Sequence, residues 1–225
     1  MILFITGIDT GIGKTVVTGS MAQCYAANGI KVITQKLVQT GCTGMSEDIL
    51  AHRNIMQSGL LPEDHSGLSC PYVFKFAGSP QLAAALEGRR IDTAALAEAT
   101  GGLTQRYEIV LIEGAGGLCV PLNEQTTILD FLARHQWPVV LVTAPRLGSI
   151  NHTLLSLAAL HEHRIPTAAV IYNLYHSAPP EIVNDTRCVI KKTLRAMNSK
   201  AAVIDFPAED TGEALLSLYR SMTMR

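Results

Sequence analysis

The chain has 225 residues, 48% of them hydrophobic, enough to bury a substantial core, and its length fits one large α/β domain spanning 1–225. Its 18 basic and 19 acidic residues leave a formal charge of -1, so no overall field draws nucleic acid or an anionic membrane, and neither is expected as a partner. The first apolar run, Ile2 to Thr6, is far too short to cross a bilayer and reads as a buried strand. It leads through a glycine-rich loop, Gly7 to Thr15, into a helix over Thr15 to Asn28 that Asn28-Gly29 can end, because glycine tolerates the left-handed conformation found there. Further strands are expected at Lys31 to Gln35, Ile109 to Ile112, Val139 to Thr143, Ala168 to Tyr172 and Ala202 to Ile204. Several are unbroken Val/Ile/Leu runs, as suits strands covered on both faces. Helical patterns fill the intervals at Ser46 to Gln57, Pro80 to Glu87, Thr93 to Gln105, Ile128 to His135, Ile150 to His163, Pro180 to Met197 and Gly212 to Met222. Such alternation predicts an α/β fold with a doubly wound, mostly parallel sheet and helices on both faces.

The remaining signals are quieter. Lys191, Lys192, Arg195 and Lys200 form the densest basic group and read as the solvated part of a helix; His161, Glu162 and His163 at another helix end read the same way. The five cysteines, Cys24, Cys42, Cys70, Cys119 and Cys188, contain no C-x-x-C pair for a zinc or redox site. Most are expected to be small buried apolar groups. Their unpaired pattern, with no charged-then-apolar leader, points to the cytoplasm.

In open α/β sheets ligands gather beyond the carboxyl ends of the strands. The first strand there delivers Gly-Ile-Asp-Thr-Gly-Ile-Gly-Lys-Thr. A strict phosphate loop, G-x-x-x-x-G-K-[ST], would need glycine where Ile8 stands, but the Gly13-Lys14-Thr15 ending matches. Gly11 and Gly13 let the backbone curl so that its N–H groups point inward, and the following helix adds its positive end. A triphosphate fits such a cradle, with Lys14 reaching the β and γ phosphates and Thr15 offering its hydroxyl to Mg²⁺, so the fold is expected to be of the P-loop NTPase type. Mg²⁺ recruits carboxylates as well. Glu113, after a strand, is one candidate, against an ordinary turn acid; Asp48, alone, reads as a first-turn helix acid. Lys36, past the second strand, is either a second cation for the γ phosphate or a solvated loop lysine.

On these motifs the chain resembles dethiobiotin synthetases, the ATP-dependent ring-closing enzymes of biotin synthesis. Gly7 to Thr15 resembles the family's G-T-D-T-x-V-G-K-T, which also lacks the second-position glycine. Lys36-Leu37-Val38-Gln39-Thr40-Gly41 resembles K-P-V-x-S-G, Ser79-Pro80-Gln81 resembles S-P-H, Glu113 to Gly117 matches E-G-A-G-G, and Leu147 to His152 resembles L-G-x-I-N-H. The resemblance implies that 7,8-diaminononanoate, CO₂ and ATP are the substrates, with Mg²⁺ as cofactor. It further implies a carbamate and a carbamic-phosphoric mixed anhydride as intermediates. Carried across, Thr15, Asp48 and Glu113 would hold Mg²⁺, and Lys14 and Lys36 would stabilise the transferring phosphoryl group. The loop from Gly11 through Ile12, Gly13 and Lys14 to Thr15 and Val16 would bind ATP, together with Asp48, Glu113, Gly114, Ala115, Gly116, Asn173 at the adenine, Pro207 and Glu209. Thr10, Thr40, Ser79 and Pro80 would meet the diamine or its carbamate.

The resemblance also implies a homodimer whose active site lies at the subunit interface, where Gly148, Ser149 and Asn151 of one subunit receive the substrate carboxylate in the other. Taken alone, Ser149 reads equally as a helix cap. Four positions depart from the family: Leu37 for proline, Thr40 for serine, Gln81 for histidine, and Leu174 where an acid commonly follows the adenine-binding asparagine. A competing class of the same broad type, the partition and Min-type ATPases, uses ATP to switch partners and carries a lysine at the position of Asp9. An acid there argues against it.

Overall fold

A computed structural model describes residues 1–223. Within them the elements run β1 (Ile2–Gly7), α1 (Lys14–Ala27), β2 (Val32–Lys36), β3 (Gln39–Thr40), α2 (Glu47–Met56), α3 (Pro62–His65), β4 (Val73–Phe74), α4 (Pro80–Leu86), α5 (Thr93–Thr104) and β5 (Ile109–Glu113). They continue with β6 (Pro121–Asn123), β7 (Thr126–Thr127), α6 (Ile128–His135), β8 (Val139–Thr143), α7 (Ser149–Glu162), β9 (Thr167–Asn173), α8 (Pro180–Ala196), β10 (Ala202–Phe206) and α9 (Thr211–Thr223). Every strand and helix expected from periodicity is present within a residue or two. The short elements α3, β3, β4, β6 and β7 carry too few residues for a period to show.

The six long strands form one sheet in the order β10-β9-β8-β1-β5-β2, with every neighbouring pair parallel. The pleat sorts their side chains by parity. Leu3 and Ile5 of β1, with Ile109 and Leu111 of β5, pack under α1 and α9. Phe4, Val110 and Ile112 face the other way, onto α5 and α6 through Leu96, Leu103, Phe131 and Leu132. Around β8 and β9, Leu141, Val170 and Tyr172 pack on Leu157 of α7 and on Ile190 and Leu194 of α8. Both faces are therefore covered, the doubly wound arrangement that the unbroken apolar strands require.

This frame puts β1 in the middle of the sheet with β5 and β8 on either side, so the loop after β1 opens between neighbours rather than at an edge. Lys36, Glu113 and Asn173 are the last residues of their strands rather than residues beyond them, and the sheet register holds Lys36 directly beside Glu113. The expectation for the cysteines needs correction. Only Cys42 is buried; Cys24 and Cys70 are half-buried, and Cys119 and Cys188 are exposed. Cys119 lies in the turn before β6, and Cys188 is two residues past the buried Thr186, off the face that carries Ile190 and Leu194 inward. All five are free thiols. The basic group on and after α8 and the residues His161 to His163 face solvent. No helix among the described residues is long and apolar enough to cross a membrane.

Candidate active site

At the carboxyl end of β1, β2 and β5 lies a cavity of about 660 Å³ whose wall includes Thr10, Gly11, Lys14, Thr15, Lys36, Thr40, Asp48, Ser79, Pro80, Glu113, Ala115 and Gly116. Its floor is the glycine loop. Gly13 caps α1 with φ 98, and a Cβ added there would sit 2.3 Å from Asn173 Nδ2, so both backbone conformation and space demand glycine. No acidic side chain in the first turn and no capping side chain occupies the free N–H groups of α1, which leaves them for an anion. Lys14 is folded back over the loop, its Nζ donating to the Asp9 carbonyl at 3.0 Å.

Beside the loop stands a buried group of charges. Lys36 Nζ donates to Glu113 Oε1 at 2.8 Å and to the Gly114 carbonyl at 3.2 Å, and meets Asp48 Oδ2 at 2.5 Å. The Thr15 hydroxyl lies 3.0 Å from Glu113 Oε1 and 3.1 Å from Asp48 Oδ1. His52 Nε2 meets the remaining oxygen, Glu113 Oε2, at 2.8 Å. Four elements converge to build this: paired strands β2 and β5 bring Lys36 and Glu113 together, α1 supplies Thr15, and α2 supplies Asp48 and His52 one turn apart on one face. Helix α2 is itself anchored. Arg53, buried, donates in bidentate fashion to Asp64 at 2.9 and 2.8 Å and to the Thr34 hydroxyl at 2.7 Å.

The electrostatics follow from this packing. Burial alone would push the Glu113 carboxyl up, but Lys36 and His52 bring it down to about 2, so it is ionised at neutral pH. Burial also works against the charge on Lys36, yet Glu113 and Asp48 more than offset it and hold the ammonium above its ordinary value. Lys14 is lowered by burial first and by the nearby Lys36 second. Two cations thus balance two carboxylates. The donor set of Thr15, Asp48 and Glu113, a hydroxyl with one oxygen of each carboxylate 3.1 and 3.0 Å from it, suits Mg²⁺, which takes one or two carboxylates and completes its shell with water and phosphate. With such an ion added the site would be positive, as a phosphate tail needs. All three donors of Lys36 are engaged by protein, so a phosphate meeting it must exchange with one of those acceptors.

The remaining expected residues fall into four groups. Thr10, Thr40, Ser79, Pro80, Ala115 and Gly116 share the cavity with the charged group, and Gly114 touches Lys36 through its carbonyl. Ile12 is buried under the loop, and Val16 is 40% exposed on α1. Asn173 is buried; its amide donates to the Ile12 carbonyl at 2.8 Å and accepts from Tyr175 N–H at 3.1 Å, so it braces the loop. Pro207 and Glu209 follow the end of β10, which the register sets next to Asn173. Gly148, Ser149 and Asn151 are outside the cavity wall of their own chain. Gly148, with φ 86, caps α7, and Ser149 is its first buried residue with a hydroxyl that finds no partner among the described residues, which overturns Ser149 as the helix cap.

Two departures gain an explanation. The Leu37 N–H donates to the Glu113 carbonyl at 2.9 Å, a bond that proline lacks the hydrogen to make, and its side chain is buried in the core. Leu174 packs its half-buried side chain against the apolar cluster of Leu141, Leu157, Val170 and Tyr172, where a carboxylate would give up hydration for apolar neighbours. Two contributors carry no motif in the sequence. His52 is marked only by lying four residues after Asp48, and Arg53 by being a cation inside an otherwise apolar helix face.

A family model described as an AAA domain matches residues 2–203. An ATP-dependent dethiobiotin synthetase of Pasteurella multocida is 51% identical over 86% of this chain and 91% of the relative. One from Chlorobaculum tepidum is 49% identical over 91% of this chain and 86% of that protein. The chain belongs to the dethiobiotin synthetase family. Among solved structures, the MinC:MinD cell division complex of Aquifex aeolicus matches with a TM-score of 0.54 at 14% identity, covering 100% of this chain and 96% of that one. At that identity the likeness is one of fold. Asp9, the acid that argued against a partner-switching ATPase in the sequence, is paired within the chain to Arg146.

Proposed function

We propose that the protein makes dethiobiotin from 7,8-diaminononanoate and CO₂ at the expense of ATP, through a carbamate and a mixed anhydride. The single observation that supports this most is the convergence of Lys14, Thr15, Lys36, Asp48 and Glu113 on one cavity in a chain half identical to dethiobiotin synthetases. One amine nitrogen attacks CO₂ and loses a proton to give the carbamate. A carbamate oxygen then attacks the γ phosphorus, the bond to the β-phosphate oxygen breaks, and ADP leaves. The second amine attacks the carbamate carbon, phosphate departs, and loss of a proton completes the cyclic urea.

In this scheme the glycine loop and the N-terminus of α1 hold the triphosphate, while Lys14 and Lys36 balance the negative charge of the moving phosphoryl group. Thr15, Asp48 and Glu113 would hold Mg²⁺, which when bound supplies charge neutralisation to the phosphate oxygens. Thr40 and Ser79 offer hydroxyls, and Thr10 a further one, to the carbamate or its parent diamine. Asn173, Pro207 and Glu209, at or just past the ends of β9 and β10, would meet the adenine. A homodimer belongs to the same proposal. Gly148, Ser149 and Asn151 stand away from their own cavity, beside Leu147 at 89% exposure and Leu155 at 61%, an apolar surface suited to a second copy. So does a cytoplasmic site of action, in keeping with five unbridged thiols.

Incubating the purified protein with ATP, bicarbonate and the diamine tests the reaction. Phosphate release should depend on the diamine and yield one phosphate per dethiobiotin. Slow hydrolysis indifferent to the diamine would favour a partner-switching ATPase instead.

A further inference from the structure

His52 is completely buried and has one polar contact, to Glu113. Its other ring nitrogen, Nδ1, is buried with no hydrogen-bond partner among the described residues. An ionised Glu113 can only accept, so Nε2 carries the proton and donates, and Nδ1 is left over. Burying an imidazole with one ring nitrogen unmatched costs free energy that an apolar side chain of similar size would avoid. Among the described residues, the contact to Glu113 is the only polar return on that cost. It divides the labour of the carboxylate: Oε2 belongs to His52, while Oε1 is free to meet Thr15 and Lys36. The terminal torsion of a glutamate is broad and roughly two-fold, so without a partner on Oε2 the group can rotate and blur which oxygen faces the cavity.

We propose that His52 is a positioning residue for phosphoryl transfer, holding Glu113 Oε2 so that Oε1 is presented to Thr15, Lys36 and the cation site. The proposal rests on the functional assignment above. It deepens it by adding a residue behind the site, of the kind that orients a ligand without touching substrate. His52 shares α2 with Asp48, and Arg53 locks that helix to Asp64 and Thr34, so the imidazole is held by the same anchor that sets the second carboxylate. One helix thereby fixes both acids, Asp48 directly and Glu113 through His52.

The test compares His52→Leu with His52→Gln, whose amide nitrogen reaches the place of Nε2 and can donate to Glu113. Two readouts are taken: Mn²⁺ affinity by electron paramagnetic resonance with a non-hydrolysable ATP analogue, and kcat and KM for ATP in the complete reaction. His52→Leu should weaken Mn²⁺ binding and lower kcat, each by roughly tenfold to a hundredfold, with KM for ATP little changed, and His52→Gln should recover most of both. In a Glu113→Gln background, His52→Leu should add almost nothing, because both act through one carboxylate. Equal losses for Leu and Gln, wild-type behaviour of Leu, or full additivity with Glu113→Gln would each overturn the proposal. If His52→Leu does not fold, His52→Asn replaces it; its amide reaches the Nδ1 position, so it should fall below His52→Gln, and parity between the two would count against the proposal. The Mn²⁺ measurement needs no diamine. A protein that shows this binding pattern yet no diamine-dependent phosphate release would contradict the proposed reaction while supporting the role of His52.

Discussion

On the β2–β5 side of the phosphate loop, Lys36 and Glu113 are sealed from solvent, with side chains 6% and 1% exposed, whereas on the β8 side Asp9 meets Arg146 with 52% and 38% exposed. Both are ion pairs bracing one loop, and they differ in what removing a partner leaves behind. Inside, each charge has surrendered its water and relies wholly on neighbours, so Lys36 answers Glu113, Asp48 and the Gly114 carbonyl at once. Outside, water and salt screen the pair and stand ready to replace either member. The Asp9 carboxyl is held below its usual range by Arg146 and by the Thr10 N–H, but at that exposure the shift translates into little stability. Chemistry that must move a charged phosphoryl group belongs on the buried side, where fixed charges act at low dielectric.

This contrast can be broken by mutation, and the largest effect is expected first. Lys36→Ala should lower turnover by roughly a hundredfold or more, the scale of losing one electrostatic stabiliser, while leaving nucleotide affinity nearly intact. Rapid-quench phosphate release beside an equilibrium nucleotide titration separates these, and an unchanged rate would remove Lys36 from the mechanism. Next comes a buried pair without a place in the cavity wall. Arg53→Met strands Asp64 and should cost about 3 kcal/mol in urea denaturation. The Asp64 carboxyl is pulled below its ordinary value by Arg53 and the Leu61 N–H, against the effect of burial. Its folded pKa is therefore lower than the unfolded one, so its contribution is complete above about pH 4 and fades as pH falls further; in Arg53→Met much of that acid-sensitive part should already be gone. A flat acid limb in the wild-type protein would contradict this. Smallest is Arg146→Ala, expected to change stability by less than about 1 kcal/mol and by less still in 1 M salt. A loss as large as that of Arg53→Met would erase the distinction between the two sides.

Much of the molecule could be read from local pattern. Unbroken apolar runs at Ile109 to Ile112 and Val139 to Thr143 could become only strands covered on both faces, and both did. The glycine loop was equally plain, because Gly13 and Lys14 act within a few residues of their own chain. Ser149 and the cysteines show where local pattern stops. A hydroxyl at a helix start looks like a cap until the backbone places the cap one residue earlier, at Gly148, and a thiol's burial depends on which face of its element meets the core.

The sequence by itself determined the alternation of strands and helices, the sheet they must form and the loop that suits a phosphate, because these rest on side-chain periodicity and on the conformations that glycine allows. Only the tertiary structure decided that Lys36 is enclosed rather than solvated, that His52 stands behind Glu113, that Asn173 spends its amide on the loop, and that Arg53 locks α2 to Asp64. His52 and Glu113 are 61 residues apart, and Asn173 and Ile12 are 161 apart. Partners so distant are chosen by how strands register and helices pack, and a buried charge or amide takes whichever complement that packing brings within reach.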